Sequence, residues 1–548
     1  MPFEPNKVFR QTAIPASCGD SFVSNANFFI ECSRIRAKSS TFSIDIPLGI
    51  RYNVSVCAVQ HMKQSKGKVM NRMEKLYSIH MGKAKCAVDL GDGSERGEYV
   101  NQDYILHTLG RPHRSISLMY CYYPLDEGFP GRASVVHANP DVSFAWDYPY
   151  DDYFTYKGGL GGNTEGEPFN YMRDIRAHGQ DVTLTLTIDP HVSDEHLAAI
   201  GQDLRPFGRV LLRINHEATG NWFSFNRRCT YQEVADFFVR ASRIIKENAP
   251  NVQTIICIGG VEHLGKEEME KEAEFAQTIP AADIWSVDKY MALHWGWPYD
   301  VAETGGNSHS RSKVRDVYDM TKASFERYCF LNGGEAKPMI MSEFNADGDV
   351  TGAYEQAEMV QEFCDILEED NADWFTGFTF YQFRDRGRLG LEIEDPNNPD
   401  VGIAQPVMET YKKLIHSERF LPKMTQGEEL QLPVTLRWGN SEDAEGLAIP
   451  LHFEQNPTFC EITFEDEGNY MMEINGFWFW KSPKAKTIDL MSAFYKKPLT
   501  AACDMTLKIF APPASGENDL SIQDGLFNSY AVIEKMPKIR LRFEPVEK

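Results

Sequence analysis

Between residues 115 and 415 the sequence alternates short apolar runs of strand length with longer stretches of helical period. Few folds accept that alternation, and it argues for a parallel α/β architecture. The runs fall near residues 116, 143, 183, 211, 255, 285, 340 and 378. Helical patterns separate them, over 169–178, 314–331, 354–368 and 406–415 among others. Thr230 followed by Glu233 has the spacing of a capping box, with Val234, Phe237, Phe238 and Ile244 as the apolar stripe behind it. Ser193 opens another helix, with Glu195 in its first turn. No doubly wound nucleotide fingerprint occurs. The Gly158-Gly159-Leu160-Gly161-Gly162 run lacks the Gly-Lys-Ser/Thr that a phosphate loop needs. The count of eight fits an α/β fold of one kind, a (β/α)8 TIM barrel.

Most of these runs change abruptly from apolar to polar at their C-terminal ends, where a parallel barrel carries its chemistry. In the run at 210–214, Val210, Leu212 and Ile214 alternate with Leu211 and Arg213, so one set faces the helices and the other the interior. His216 and Glu217 follow directly. The run at 338–342 stops at Glu343 in the same way, and the run at 284–287 at Asp288-Lys289-Tyr290. Glu217 ends the fourth expected strand and Glu343 the seventh. A pair of carboxylates at strand ends is what glycosidic cleavage requires, one to protonate the leaving oxygen and one to attack or to activate water. A buried, paired Arg and Glu at a strand end is the competing, purely structural reading.

The block Arg213, His216-Glu217, Gly220 and Trp222-Phe223 resembles the acid/base motif of family 26 glycoside hydrolases, the β-mannanase family of the barrel clan with catalytic Glu on strands four and seven. The stretch 338–344 resembles that clan's nucleophile strand, and 282–290 its sixth strand, whose Tyr bonds the nucleophile. The resemblance spans about 115–415 and departs from the family at Ile214, Thr219 and Phe225, where Pro, Asn and a second Trp are usual. It implies a retaining, endo-β-mannanase-like enzyme, with xylan or β-glucan as further substrates to test. Glu217 would be the general acid/base and Glu343 the nucleophile, with Arg213 and Tyr290 orienting Glu343. His216 would touch the sugar at the cleavage site or brace the carboxylates, Trp222 would offer an aromatic face to a pyranose, and Trp146, Trp295 and Tyr381 would line the wall and further subsites. Asn345, Gln382, Arg384 and Asp385 are further strand-end candidates for hydroxyl contacts, although Arg384-Asp385-Arg386 equally suits an ion-paired loop.

The flanks read differently. Residues 1–111 carry short strand-like runs with weak helical periodicity and are expected to form a β-rich module. The barrel is expected over 112–418, and a β-sandwich over 419–548. Phe477-Trp478-Phe479-Trp480 suits core or an inter-module contact better than a sugar platform.

A net charge of −23 argues against nucleic acid or an anionic membrane as partner and suits a neutral ligand such as carbohydrate. No run approaches 18 apolar residues, so no membrane span is expected. The first residues lack an apolar leader core. That is expected of a cytoplasmic chain, or of a secreted one whose leader has been removed. The 11 Cys are scattered without a CxxC pair and read as free thiols. His191, His216, His263 and His294 fall near strand ends and keep a metal-dependent hydrolase in view, but neither HxH nor HExxH spacing occurs, and no cofactor is expected. A catalytically silent carbohydrate-binding protein on the same fold is the other alternative. The oligomeric state is not legible.

Overall fold

The computed structural model describes residues 42–45, 51–54, 75–91, 100–126, 129, 154–220, 224–258, 266–292, 313–385, 388–523 and 526–543. The chain divides into two compact units, Met1–Gly67 and Lys68–Lys548. In the first, Phe42–Asp45 pairs antiparallel with Arg51–Val54. The second holds everything described below.

Eight parallel strands close into a ring. In order they are β1 (Ala87–Gly91), β2 (Ser115–Tyr122), β3 (Asp181–Ile188), β4 (Val210–Ile214), β5 (Val252–Cys257), β6 (Ile284–Tyr290), β7 (Met339–Asn345) and β8 (Phe375–Phe380). Closure comes from β1, which pairs with β8 on one side and β2 on the other. The fold is a TIM barrel. The helices between strands bury their apolar stripes against it. Tyr231–Asn248 is the clearest case: Thr230 and Glu233 form both halves of the capping box, and Val234, Phe237, Phe238, Ala241, Ile244 and Ile245 are buried. Each of these Val, Phe and Ile side chains contributes about 1.5–3 kcal/mol on leaving water. Val210, Leu212 and Ile214 join that outer core, while Leu211, Ile255, Ile284 and Ile340 form a small cluster of their own. The expected alternation in β4 is therefore observed.

The described strands of residues 75–111 join the other two parts of the chain. Ala87–Gly91 is a barrel strand, and Leu76–Met81 pairs with Met424–Leu430 and Asp443–Phe453 of the C-terminal part. A five-residue strand followed by an eight-residue helix, Gln102–Leu109, is too short for its period to declare it. The strand expected near 143 lies outside the described residues, and β1 supplies the eighth strand. Glu217 and Glu343 therefore still follow the fourth strand and end in the seventh.

The C-terminal part consists of antiparallel sheets. Cys460 and Ile462, from the strand Phe459–Thr463, share a core with Leu447, Ile449 and Leu451 of the larger sheet. The strand Phe477–Lys481 packs against the barrel: Trp480 lies 4.0 Å from His178 between ring centroids, and the Trp478 N–H donates to the Gly110 carbonyl at 2.9 Å. The aromatic run is thus an inter-module contact. Among the described residues, no helix is long and apolar enough to cross a membrane.

Candidate active site

The turn after β4 is held open by its own side chains. Asn215 and Glu217 adopt left-handed backbone conformations, with φ of 52° and 42°. Asn tolerates that region; for Glu it is uncommon and costs energy that the surroundings must supply. The Asn215 side chain accepts from the Ile188 N–H at 2.8 Å, tying the turn to β3. The Ala218 N–H donates to the Cys257 carbonyl at 2.8 Å, tying it to β5. Asn226 clamps the far side, donating to the carbonyls of Ala218 and Gly220 at 2.9 and 2.6 Å. Glu217 is thereby presented above the barrel mouth with 28% of its side chain exposed.

Arg213, Glu343, Asp288 and Tyr290 converge below it. Arg213 Nη1 donates to Glu343 Oε1 at 3.1 Å, and Nη2 donates to Asp288 Oδ2. The Tyr290 hydroxyl donates to Glu343 Oε2 at 2.8 Å, so both oxygens of that carboxylate are fixed. His216 Nε2 lies 3.3 Å from Glu343 Oε1 and 3.9 Å from Glu217 Oε2 and so stands between the two carboxyls. Ser342 Oγ donates to Asp288 Oδ1 at 2.6 Å.

The electrostatics follow from this crowding. Burial, then Asp288 and Glu343, push the Glu217 carboxyl well above the usual carboxylate range. Burial and Asp288 also raise Glu343, against the opposing pull of Arg213 and the Tyr290 hydroxyl. Burial, then Arg213, holds His216 well below its ordinary value, leaving a neutral imidazole. Burial opposes the charge on Arg213, but the carboxylates of Asp288 and Glu343 outweigh it and keep the guanidinium charged. Two carboxyls in one pocket, both driven toward holding a proton and one of them held on both oxygens by Arg213 and Tyr290, can serve as an acid paired with a nucleophile or base.

Of the residues singled out in the sequence, Arg213, His216, Glu217, Tyr290 and Glu343 come together. Tyr381 joins them by an edge contact with Tyr290, with ring centroids 6.1 Å apart. Trp146, Trp222 and Trp295 lie outside the described residues, as do His263 and His294. Asn345 is fully buried and donates to the carbonyls of Tyr381 and Leu389, so it braces the β7 end and is not available to a sugar. Arg384 is ion-paired to Glu394 at 3.2 Å, the loop role named as its alternative. His191 pairs with Asp189 at 3.0 Å. Sequence reasoning assigned no role to Asp288, although it lies two residues before Tyr290 and shares its face of β6.

His216, Asp288 and Glu343 offer ligand atoms within 4.8 Å of one another. The Arg213 guanidinium is bonded to both carboxylates of that set, so a cation already stands where a metal would. The glycine run does not cradle an anion from outside. The Gly159 N–H donates at 2.6 Å to the chain's own Asp203, which also accepts from Tyr156 at 3.0 Å.

No family model and no curated protein matches the chain. Among solved structures it is similar to a family 51 α-L-arabinofuranosidase from Bifidobacterium longum, with TM-score 0.40 and 11% identity, over 78% of this chain and 97% of that one. It is also similar to a modular endo-β-1,4-mannanase from Cellulomonas fimi, with TM-score 0.37 and 10% identity, over 77% and 93%. A family 39 glycoside hydrolase from Bacteroides cellulosilyticus gives TM-score 0.35 and 10% identity, over 77% and 80%. The barrel stands on its own strand ring, and likenesses at these scores add no argument to it.

Proposed function

We propose that this chain is a retaining glycoside hydrolase acting within a neutral β-linked polysaccharide, with mannan the first substrate to test and xylan and β-glucan next. One observation carries the reading. Glu217 and Glu343, 126 positions apart, arrive from β4 and β7 at the same imidazole nitrogen, and among the described residues only Glu343 is gripped on both oxygens. Glu217, the more exposed carboxyl, donates its proton to the glycosidic oxygen while Glu343, held on both oxygens, attacks the anomeric carbon. Glu217, now an anion, then takes a proton from the water that displaces Glu343 from the sugar. Retention calls for carboxyls about 5–5.5 Å apart, inversion for the ~6.5–9.5 Å that admits a water between them.

The test is incubation with galactomannan, xylan and mixed-linkage β-glucan, with products resolved by chromatography and Glu343→Ala as control. The expected result is cleavage of at least one glycan by the native chain and none by the variant. Equal activity in the variant would remove Glu343 from the chemistry. Binding to a glycan without cleavage by the native chain would favour the silent carbohydrate-binding alternative.

A further inference from the structure

A histidine and a cysteine that take no part in the steps above meet beyond the C-terminal ends of the barrel strands. His191 follows β3, and Cys229 lies at the end of the connection that leaves β4 through the Glu217 turn, just before the capping box of Tyr231–Asn248. Asp189 fixes the histidine, accepting from its backbone N–H and from its ring Nδ1, both at 3.0 Å. Arg240 fixes the chain on either side, donating to the carbonyls of Pro190 at 3.1 Å and Val192 at 2.8 Å. A carboxylate only accepts, so Nδ1 carries the proton and Nε2 of the neutral ring carries the lone pair. Nε2 stands 3.8 Å from Cys229 Sγ. Both side chains line a cavity of about 280 Å³, whose wall also holds Glu233, Asp236 and Arg240.

We infer that His191 and Cys229 form a binding site for a thiophilic divalent cation of the zinc class, independent of the chemistry at the carboxyl pair. A tetrahedral zinc, with sulfur at ~2.3 Å and nitrogen at ~2.0–2.1 Å, sets those two atoms roughly 3.5 Å apart. The observed pair lies within a few tenths of an ångström of that spacing. The carboxylate behind the ring is the outer partner of a metal-binding histidine: it sets the tautomer, aims the ring and raises the basicity of Nε2. Thiolate with imidazole selects zinc over calcium or magnesium, which take oxygen. Burial, then Glu233 and Asp189, lifts the Cys229 thiol to about 11, with Arg228 opposing them. The thiol therefore keeps its proton until a cation arrives; ligation forms the sulfur–metal bond and releases that proton to water. The anions that raise the thiol also draw a cation into the cavity. The two guanidinium groups nearby are engaged elsewhere, Arg240 on the carbonyls of Pro190 and Val192 and Arg228 on Asp126 at 2.8 Å. The His191 side chain is 59% exposed, so water completes the coordination shell. A bound cation ties the loop after β3 to the connection that carries Glu217, three residues beyond the Asn226 clamp.

The test is titration of the reduced full-length chain with Zn2+ in competition with a chromophoric chelator, beside Cys229→Ser and His191→Gln. The native chain should bind zinc at micromolar concentration with release of a proton. Each of the two variants should bind it more than ~100-fold more weakly, and Asp189→Asn should weaken it by about 10–100-fold. With Co2+ in place of zinc, the native chain should show a thiolate-to-metal absorption band in the near ultraviolet that Cys229→Ser lacks. Zinc should raise the melting temperature of the native chain and leave that of Cys229→Ser unmoved. No uptake by the native chain at micromolar zinc overturns the proposal. So does uptake unchanged in either Cys229→Ser or His191→Gln, which would place the metal on other side chains. Should Cys229→Ser fail to fold, Cys229→Ala makes the same comparison.

Discussion

The two ends of the barrel each hold a buried arginine–carboxylate network, and they are balanced oppositely. At the N-terminal end of β3, Asp181 is fully buried and accepts from two guanidinium groups, Arg176 at 3.1 Å and Arg209 at 2.8 Å. Ser441, from the C-terminal sheets, donates to it at 3.0 Å, and Glu442 pairs with Arg209 at 3.4 Å. Gly208, with φ of 63°, lies so close to the Arg176 guanidinium that no side chain fits there. Two cations meet two anions, and the network joins the barrel to the sheets. At the other end, Arg213 serves Asp288 and Glu343 at once, with Glu217 nearby as a third carboxyl. There the anions are in excess and two carboxyls are driven toward holding protons. A buried ion pair alone does not mark a catalytic site; the unbalanced one, open to the barrel mouth, is the candidate.

The sharpest way to break this contrast is to remove one carboxylate from each end. Glu343→Ala should lower glycan hydrolysis by more than the ~10²–10⁴-fold that a general acid/base supplies, with azide restoring part of it and the melting curve unchanged or raised. Asp181→Ala should do the reverse. It strands two buried arginines and should cost about 3–5 kcal/mol in urea unfolding, while kcat stays near native wherever the chain is folded.

The pH dependence of stability separates the ends more finely. The Glu217 carboxyl is raised in the folded state, so the native chain binds the proton more tightly than the unfolded one. Its contribution is complete below the ordinary carboxyl range and is lost as pH rises through about 8. Thermal melts should therefore decline over that window, and Glu217→Gln should flatten the decline. The smallest effects come from the matched hydroxyls. Ser441→Ala should cost about 1.5–3 kcal/mol of stability at unchanged activity, whereas Ser342→Ala should cost less and shift the pH–rate profile.

Local chemistry made much of this readable in advance. The Thr230–Glu233 capping box, the helix Pro406–Ile415 and the inward Arg213 of β4 each follow from residues within a few positions of one another. What escaped depends on partners far along the chain. Ala87–Gly91 belongs to the barrel because Phe375–Phe380 and Ser115–Tyr122 pair with it. Asp288 matters because Arg213, 75 positions earlier, bonds it. Asn345 looked available at a strand end, yet the carbonyls of Tyr381 and Leu389 occupy its side chain. The pairing of Glu217 with Glu343 was legible because each announces itself by ending an apolar run.

The central claim is a double displacement by those two carboxyls, and product stereochemistry tests it most directly. Proton NMR of the first anomer released from whichever glycan is cleaved, recorded before mutarotation, should show retention of the anomeric configuration. An inverted first product would contradict the assignment of Glu343 as nucleophile.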